Sequence, residues 1–328
     1  MLRFAIALLA ILALPAPATA QSASPEIAAQ RLQSVVRLRI SVPPDARTAD
    51  TLGRTRNGSG VLIDQSGLIL TIGYLMVEAD GAEATLADGR TLPAQIVGYD
   101  HESGFGLLRT IESPRLPAAP LGRSAGVESG QTVLAAAPGG VAGAMSARVV
   151  SRRVFAGGWE YMLDDAIFTS PPHPAWSGAA LFDSGFRLVG IGSLAVGDVT
   201  GAGGGPGNMF VPIDRLPPIL ADMIADGAPA GPRRPWLGVS LDELRGRVFI
   251  SRVTPESPAA RAGLRGGEMI VAIDGATPRD LADFYRRLWA TGDAGVAVKL
   301  TVLDAGGMRE TTVASADRHS HLRLKRSY

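Results

Sequence analysis

Cysteine is absent from the 328 residues, and lysine is nearly so, with Lys299 and Lys325 alone. No disulfide can form, so core packing must hold the fold even in an oxidising compartment. Both lysines lie outside the first of two domains, residues 21–226, which leaves no Ser–Lys dyad within it. Charge of one sign is lacking too. The 32 basic and 31 acidic residues leave a formal charge of +1, so no global field recruits nucleic acid or an acidic surface. Aromatics make up only 5%, whereas 40 glycines and 23 prolines are present. That balance favours turn-rich β structure over a helical bundle.

One long apolar run breaks the pattern. Residues 1–20, "MLRFAIALLAILALPAPATA", place Arg3 before Phe4–Leu14 and end on Ala18-Thr19-Ala20. The run is too short to span a bilayer comfortably, and an A-x-A end is what a signal peptidase reads. We expect cleavage after Ala20 and an exported, periplasmic protein without stable membrane insertion. Loss of Arg3 equalises the basic and acidic counts.

Residues 21–226 read as one domain. Ser24-Pro25-Glu26 signals a short helix. From Val35, period-2 or solid apolar stretches alternate with turn residues, as in "VVRLRI", "GVLIDQSGLILT" and "RLVGIGSLAV". Short strands at this spacing indicate a sandwich or barrel. Leu216, Ile219, Leu220, Met223 and Ile224 recur at helical spacing, with Gly227 as the stop. Residues 227–235, "GAPAGPRRP", form a linker. Residues 236–314 make a second unit of five strands and one helix. That helix is signalled by Thr277 as cap and by Leu281, Phe284, Tyr285 and Leu288 on one face. Residues 315–328 read as a frayed basic tail.

Taken in order, these pieces resemble the HtrA/Deg proteases, in which a trypsin-like double β-barrel precedes a PDZ domain. "GSGVLIDQSGLILT", "ATLADGRTLPAQIVGYD", "AAAPGG" and Ala147–Ser151 look like successive family segments. The implied fold is mainly β: two six-stranded barrels followed by a small α+β PDZ domain. The family's nucleophile motif G-N-S-G-G becomes Ala175-Trp176-Ser177-Gly178-Ala179, so Ser177 keeps the nucleophile position. The general-base histidine position, three residues past Thr71, holds Tyr74. The orienting aspartate position holds Gly104, although Asp100 keeps an earlier acid of that loop. Ala175 takes the oxyanion-hole position usually held by glycine.

A serine hydroxyl is a poor nucleophile unless a base removes its proton, and a phenol with a pKa near 10 is a poor base. The resemblance therefore implies a catalytically impaired pseudoprotease. The alternative is an active serine endopeptidase in which His101 or His173 serves Ser177. In the second domain, Trp236-Leu237-Gly238-Val239 looks like the PDZ carboxylate-binding loop, with Gly238 letting the chain bend. Leu281 and Tyr285 of the following helix would wall the groove. The partners implied are peptide or protein C-termini, with copies of this chain or active relatives as assembly partners, in envelope protein quality control.

Neither a cofactor nor a metal is expected. "GAGGGPG" at 201–207 lacks the Lys-Ser/Thr of a phosphate loop and reads as a mobile surface loop. His319 and His321 stand without other ligands.

Overall fold

A computed structural model describes residues 25–324 of the chain. The expected signal segment and its cleavage site lie outside the described residues.

The strands β1 (Val35–Ser41), β2 (Thr55–Leu62), β3 (Leu68–Ile72), β4 (Gly81–Thr85), β5 (Thr91–Tyr99) and β6 (Phe105–Thr110) close into a barrel of order β1-β2-β3-β6-β5-β4. Alternation decides which face goes inside. In β1, Val36, Leu38 and Ile40 are buried while Arg37, Arg39 and Ser41 stay exposed. A second barrel repeats the plan with β7 (Thr132–Ala136), β8 (Ala144–Gly157), β9 (Tyr161–Ser170), β10 (Ala180–Phe182), β11 (Leu188–Val196) and β12 (Gly207–Pro212), in the order β10-β11-β12-β9-β8-β7. Closure leaves no free sheet edges in either barrel. One apolar cluster, including Leu38, Phe105, Phe168 and Phe182, runs through both barrels and joins them.

The helix Pro217–Asp226 closes the double barrel. Proline opens it, and Gly227 ends it in the left-handed conformation at φ 76°. The segment after it is tied down. Tyr99 N donates to Gly227 O, Ala294 N donates to Arg233 O, and the Arg234 guanidinium stacks 4.2 Å over Trp289. The second unit is an antiparallel sheet in sequence order: β13 (Val239–Leu244), β14 (Arg247–Val253), β15 (Met269–Ile273), β16 (Ala297–Asp304) and β17 (Gly307–Ala314). The helix Leu281–Ala290 packs on it through Phe284, Tyr285 and Leu288. Its cap is Asp280, whose side chain accepts Asp283 N, and not Thr277: the chain around Pro278 stays non-helical.

The glycine-rich stretch is exposed on the surface, as expected, and one expectation about the tail is corrected. The glycine-rich stretch 201–207 winds around the Asp198 carboxylate, which accepts N–H groups of Thr200, Gly201, Gly203 and Gly204. The tail is not frayed through residue 324. A short helix, Arg318–His321, returns to the barrel, and Leu322 joins the core shared by the two barrels. Basic side chains alone gave no sign of this, because Arg318 and His319 dock on backbone carbonyls of Trp159 and Tyr99 and Arg323 docks partly through its own N–H.

Glu78 anchors that return. Its buried carboxylate accepts Arg47 N, Thr48 N, the Thr48 hydroxyl and Arg323 N. Burial pushes its carboxyl up. The hydrogen bonds from Arg323, Thr48 and Arg47 together outweigh that and hold it below the usual range. A depressed native pKa contributes stability above the unfolded value, near 4.3, and loses it as pH falls. Glu78→Gln is expected to lower the unfolding free energy by about 1–3 kcal/mol in urea titrations at pH 7. The deficit should shrink as the pH is lowered below about 4. An equal deficit at both ends of that range would contradict this account.

Candidate functional site

Ser177 lies on the loop between β9 and β10 and lines a cleft of about 390 Å³, together with Arg37, Pro174, Ala175 and Trp176. The loop is seated on β2. Ser59 N donates to Ser177 O at 2.8 Å, and Gly178 approaches so closely that a Cβ there would lie 2.0 Å from Ser59 O. With φ 73°, Gly178 is required both by conformation and by space.

Tyr74 comes from the opposite barrel, on the single turn after β3. Its Oη lies 2.9 Å from Ser177 Oγ and 2.9 Å from the carbonyl of Ser193. A carbonyl can only accept, and a phenol has one proton. When Tyr74 donates to Ser193, the serine hydroxyl must donate to the phenol oxygen. The carbonyl is free because β11 carries a bulge between Gly192 and Leu194, which removes Ser193 from the ladder. Arg56 braces the same turn: its buried guanidinium donates to Tyr74 O at 2.8 Å and to Val77 O at 2.9 Å. Burial lowers Arg56 to about 10, still protonated at neutral pH, with Glu78 opposing the shift. Nothing in the local sequence marked Arg56 as a support for position 74.

Burial pushes the Tyr74 phenol up to about 12, against smaller opposing contributions from the side chains of Ser177 and Trp176. Roughly one molecule in 10⁵ would carry the phenolate at pH 7. Gly104 has no side chain with which to orient Tyr74. Its backbone is left-handed at φ 82°, and a Cβ would lie 2.7 Å from the Tyr161 hydroxyl, which donates to Ser103 O. The space beside residue 104 therefore belongs to Tyr161. Asp100 is buried and spent locally, accepting Glu102 N and Ser103 N.

Neither imidazole partners Ser177. His173 is buried; its Nε2 faces Gly143 O at 3.1 Å, and its Nδ1 accepts Ala175 N at 3.1 Å. Those partners fix the tautomer, with the proton on Nε2. They also occupy the Ala175 N–H group that the sequence assigned to the oxyanion position. His101 points away toward the second domain. Its Nδ1 meets Tyr99 Oη at 3.0 Å and its Nε2 meets Glu160 O at 2.9 Å. Burial first, then the Arg318 charge, hold it well below the usual imidazole range, so it is neutral. The alternative base pairings are therefore corrected on geometry: both rings are committed elsewhere.

The second candidate site is also occupied. Leu237 N, Gly238 N and Val239 N converge as the sequence anticipates, and all three donate to the carboxylate of Glu160, at 2.9, 2.7 and 2.9 Å. Glu160 stands at the tip of the β8–β9 hairpin of the barrel. Gly238, at φ 84°, could not carry a side chain, since a Cβ would lie 2.2 Å from Ser257 Cβ. Tyr285 donates its hydroxyl to Gly157 O and accepts Glu160 N, while Leu281 is buried in the groove wall. The sequence missed Glu160. Its only signal was the stretch Gly157-Gly158-Trp159-Glu160, a hairpin tip that combines two glycines with an aromatic and an acid.

Among the described residues there is no cluster of potential metal ligands, and no helix is long and apolar enough to cross a membrane.

Comparison with known proteins agrees with both units. Residues 58–191 match the trypsin-like peptidase domain family, and residues 235–314 match the PDZ domain family. A probable periplasmic serine endoprotease DegP-like of Halomonas elongata is 30% identical over 298 residues, covering 84% of this chain and 59% of the relative. The putative serine protease HhoA of Synechocystis sp. is 29% identical over 292 residues, covering 79% of this chain and 70% of the relative. The chain thus spans less than two thirds of the DegP-like relative. Among solved structures, an HtrA-type protease AlgW with decapeptide superposes with a TM-score of 0.54 at 26% identity, covering 91% of this chain and 99% of that one.

The packing at residue 104 is open to a controlled test. Gly89 shares its left-handed backbone, φ 88°, but a Cβ there meets nothing within 4 Å. Gly104→Ala is expected to destabilise by about 1–3 kcal/mol more than Gly89→Ala in urea denaturation, through overpacking against Tyr161. Equal costs at the two glycines would show that the space is not filled.

Proposed function

Because the chain belongs to the HtrA family, a trypsin-like peptidase domain followed by a PDZ domain, we propose that it is an exported, catalytically impaired member that binds peptide or protein C-termini in envelope protein quality control or its regulation. Export is supported by the leader-like residues 1–20 and by relatives described as periplasmic. Assembly with copies of itself or with active relatives belongs to the same reading.

The observation that carries the impairment is the hydrogen bond between Tyr74 and Ser177, in place of an imidazole. A buried phenol near pKa 12 cannot take the serine proton at neutral pH, and its own proton has a carbonyl to go to at Ser193. In subtilisin, removing the serine or the histidine alone costs about 10⁶ in turnover. The oxyanion turn adds to the loss, since the Ala175 N–H is held by His173 instead of being directed at a reacting carbonyl. What remains is a cleft shaped by Trp176 and Pro174 that can hold an extended chain without cutting it.

Peptide recognition is supported by the loop Trp236–Val239, whose three N–H groups already hold a carboxylate.

A fluorophosphonate probe tests the impairment directly. Ser177 should label no faster than a surface serine between pH 6 and 9, with no inflection near the imidazole pKa. Prompt labelling abolished by Ser177→Ala would overturn the reading. Tyr74→His restores a base but no orienting acid, so peptide hydrolysis should stay about 10⁴ below that of a complete triad.

A further inference from the structure

The contact at residues 157–162 goes beyond a domain junction, because it reproduces, piece by piece, what a bound chain end requires. A terminal carboxylate needs convergent backbone N–H groups, and Glu160 takes all three. An added ligand strand needs main-chain pairing with the first strand of the PDZ sheet, and Gly158 O accepts Leu241 N at 2.7 Å. A ligand also buries an apolar side chain, and Met162 lies at 5% exposure within the PDZ core cluster alongside Leu237, Val239 and Leu288. Val154 and Ala156 of the same hairpin pack against that cluster.

The hairpin is shaped for this position at some conformational expense. Glu160 is left-handed at φ 55°, which residues other than glycine adopt rarely. Gly158 lies so near the PDZ strand that a Cβ would meet Leu241 O at 2.1 Å. Burial pushes the Glu160 carboxyl up, opposed by the three N–H groups and by Arg318. Arg318 also donates to Trp159 O at 2.9 Å, so the returning chain end holds the hairpin from behind. Trp159 itself stays 41% exposed, stacked on Tyr161 at 5.9 Å, at the open side of the junction.

We propose that the β8–β9 hairpin is an autoinhibitory latch: an internal mimic of a C-terminal peptide that closes the PDZ groove and is displaced by a chain end carrying a free carboxylate and an unbranched apolar side chain like that of Met162. This rests on the peptide-binding reading above and adds a competitor to it. Ligand and hairpin use the same three N–H groups and the same Leu241 N–H, so they exclude each other. The apparent affinity of the intact chain is the intrinsic affinity reduced by the fraction of molecules with the hairpin out.

The experiment uses the mature chain and two variants. Glu160→Ala removes the mimic carboxylate, and Gly158→Ala keeps it but pushes the hairpin off Leu241. The probe is a fluorescein-labelled Gly/Ser decapeptide ending in Met with a free carboxylate, alongside its amidated twin. Binding is read by anisotropy, and amide hydrogen exchange is followed at residues 237–241. Both variants are expected to exchange faster there and to bind the free-acid peptide at least ~10-fold more tightly, with no gain for the amide. Equal, measurable affinity in all three proteins would leave peptide recognition standing and remove the latch. Unchanged exchange in both variants would also remove it. Faster exchange with no peptide binding by any of the proteins would sink peptide recognition and, with it, the latch, leaving the hairpin a fixed strut.

Discussion

A carboxylate withdrawn from water must be met by hydrogen-bond donors, and in this protein those donors are mostly backbone N–H groups. Glu160 is the instance on which the molecule's arrangement depends. Its three bonds to Leu237, Gly238 and Val239 bind the barrel to the second domain at the position where that domain would hold a ligand. The same device recurs at two other buried carboxylates: Glu78, which binds the returning segment, and Asp100, which shapes the loop before β6. A chain with no cysteine pins its loops with such carboxylates and with arginines such as Arg56. Each such carboxylate carries a large desolvation cost unless its donors are all in place, so these contacts specify geometry as much as they stabilise it.

The cleft follows a related logic. Tyr74 joins the two barrels through Ser177 and Ser193, with Arg56 holding its turn and the β11 bulge presenting the carbonyl. Tyr161 fills the place beside Gly104, and His173 holds the Ala175 N–H. These parts complete one another as a hydrogen-bonded joint between barrels. The serine is a member of that joint, hydrogen-bonded to the Tyr74 phenol.

Much of this was legible in the sequence. Strand alternation and turn spacing indicated a sandwich or barrel, the resemblance implied two barrels and a PDZ domain, and Gly227 marked a helix end. What was illegible depended on long-range pairing. Glu160 and Gly238 are 78 residues apart, and no local period connects them. The Ser193 carbonyl is available only because a bulge displaces it, and a bulge leaves no mark in an apolar run. In the sequence His173 stands as an alternative base for Ser177, and its actual partners, a carbonyl and an amide, are invisible in side-chain patterns. The tail misled for the same reason: its basic residues dock through Arg323 N and through Arg318 on a carbonyl, contacts that a count of charges cannot distinguish from solvation.

The clasp formed by residues 318–323 also bears on the order in which the molecule can be assembled. Arg318 reaches the hairpin and Arg323 reaches Glu78, so one short segment touches both the PDZ-facing tip and the first barrel. During synthesis that segment leaves the ribosome after every strand it secures. Domains generally fold as units, the N-terminal ones first. Here the clasp can close only over strands already made, and it adds Arg318 and Arg323 to a junction that Glu160 and Gly158 form without it.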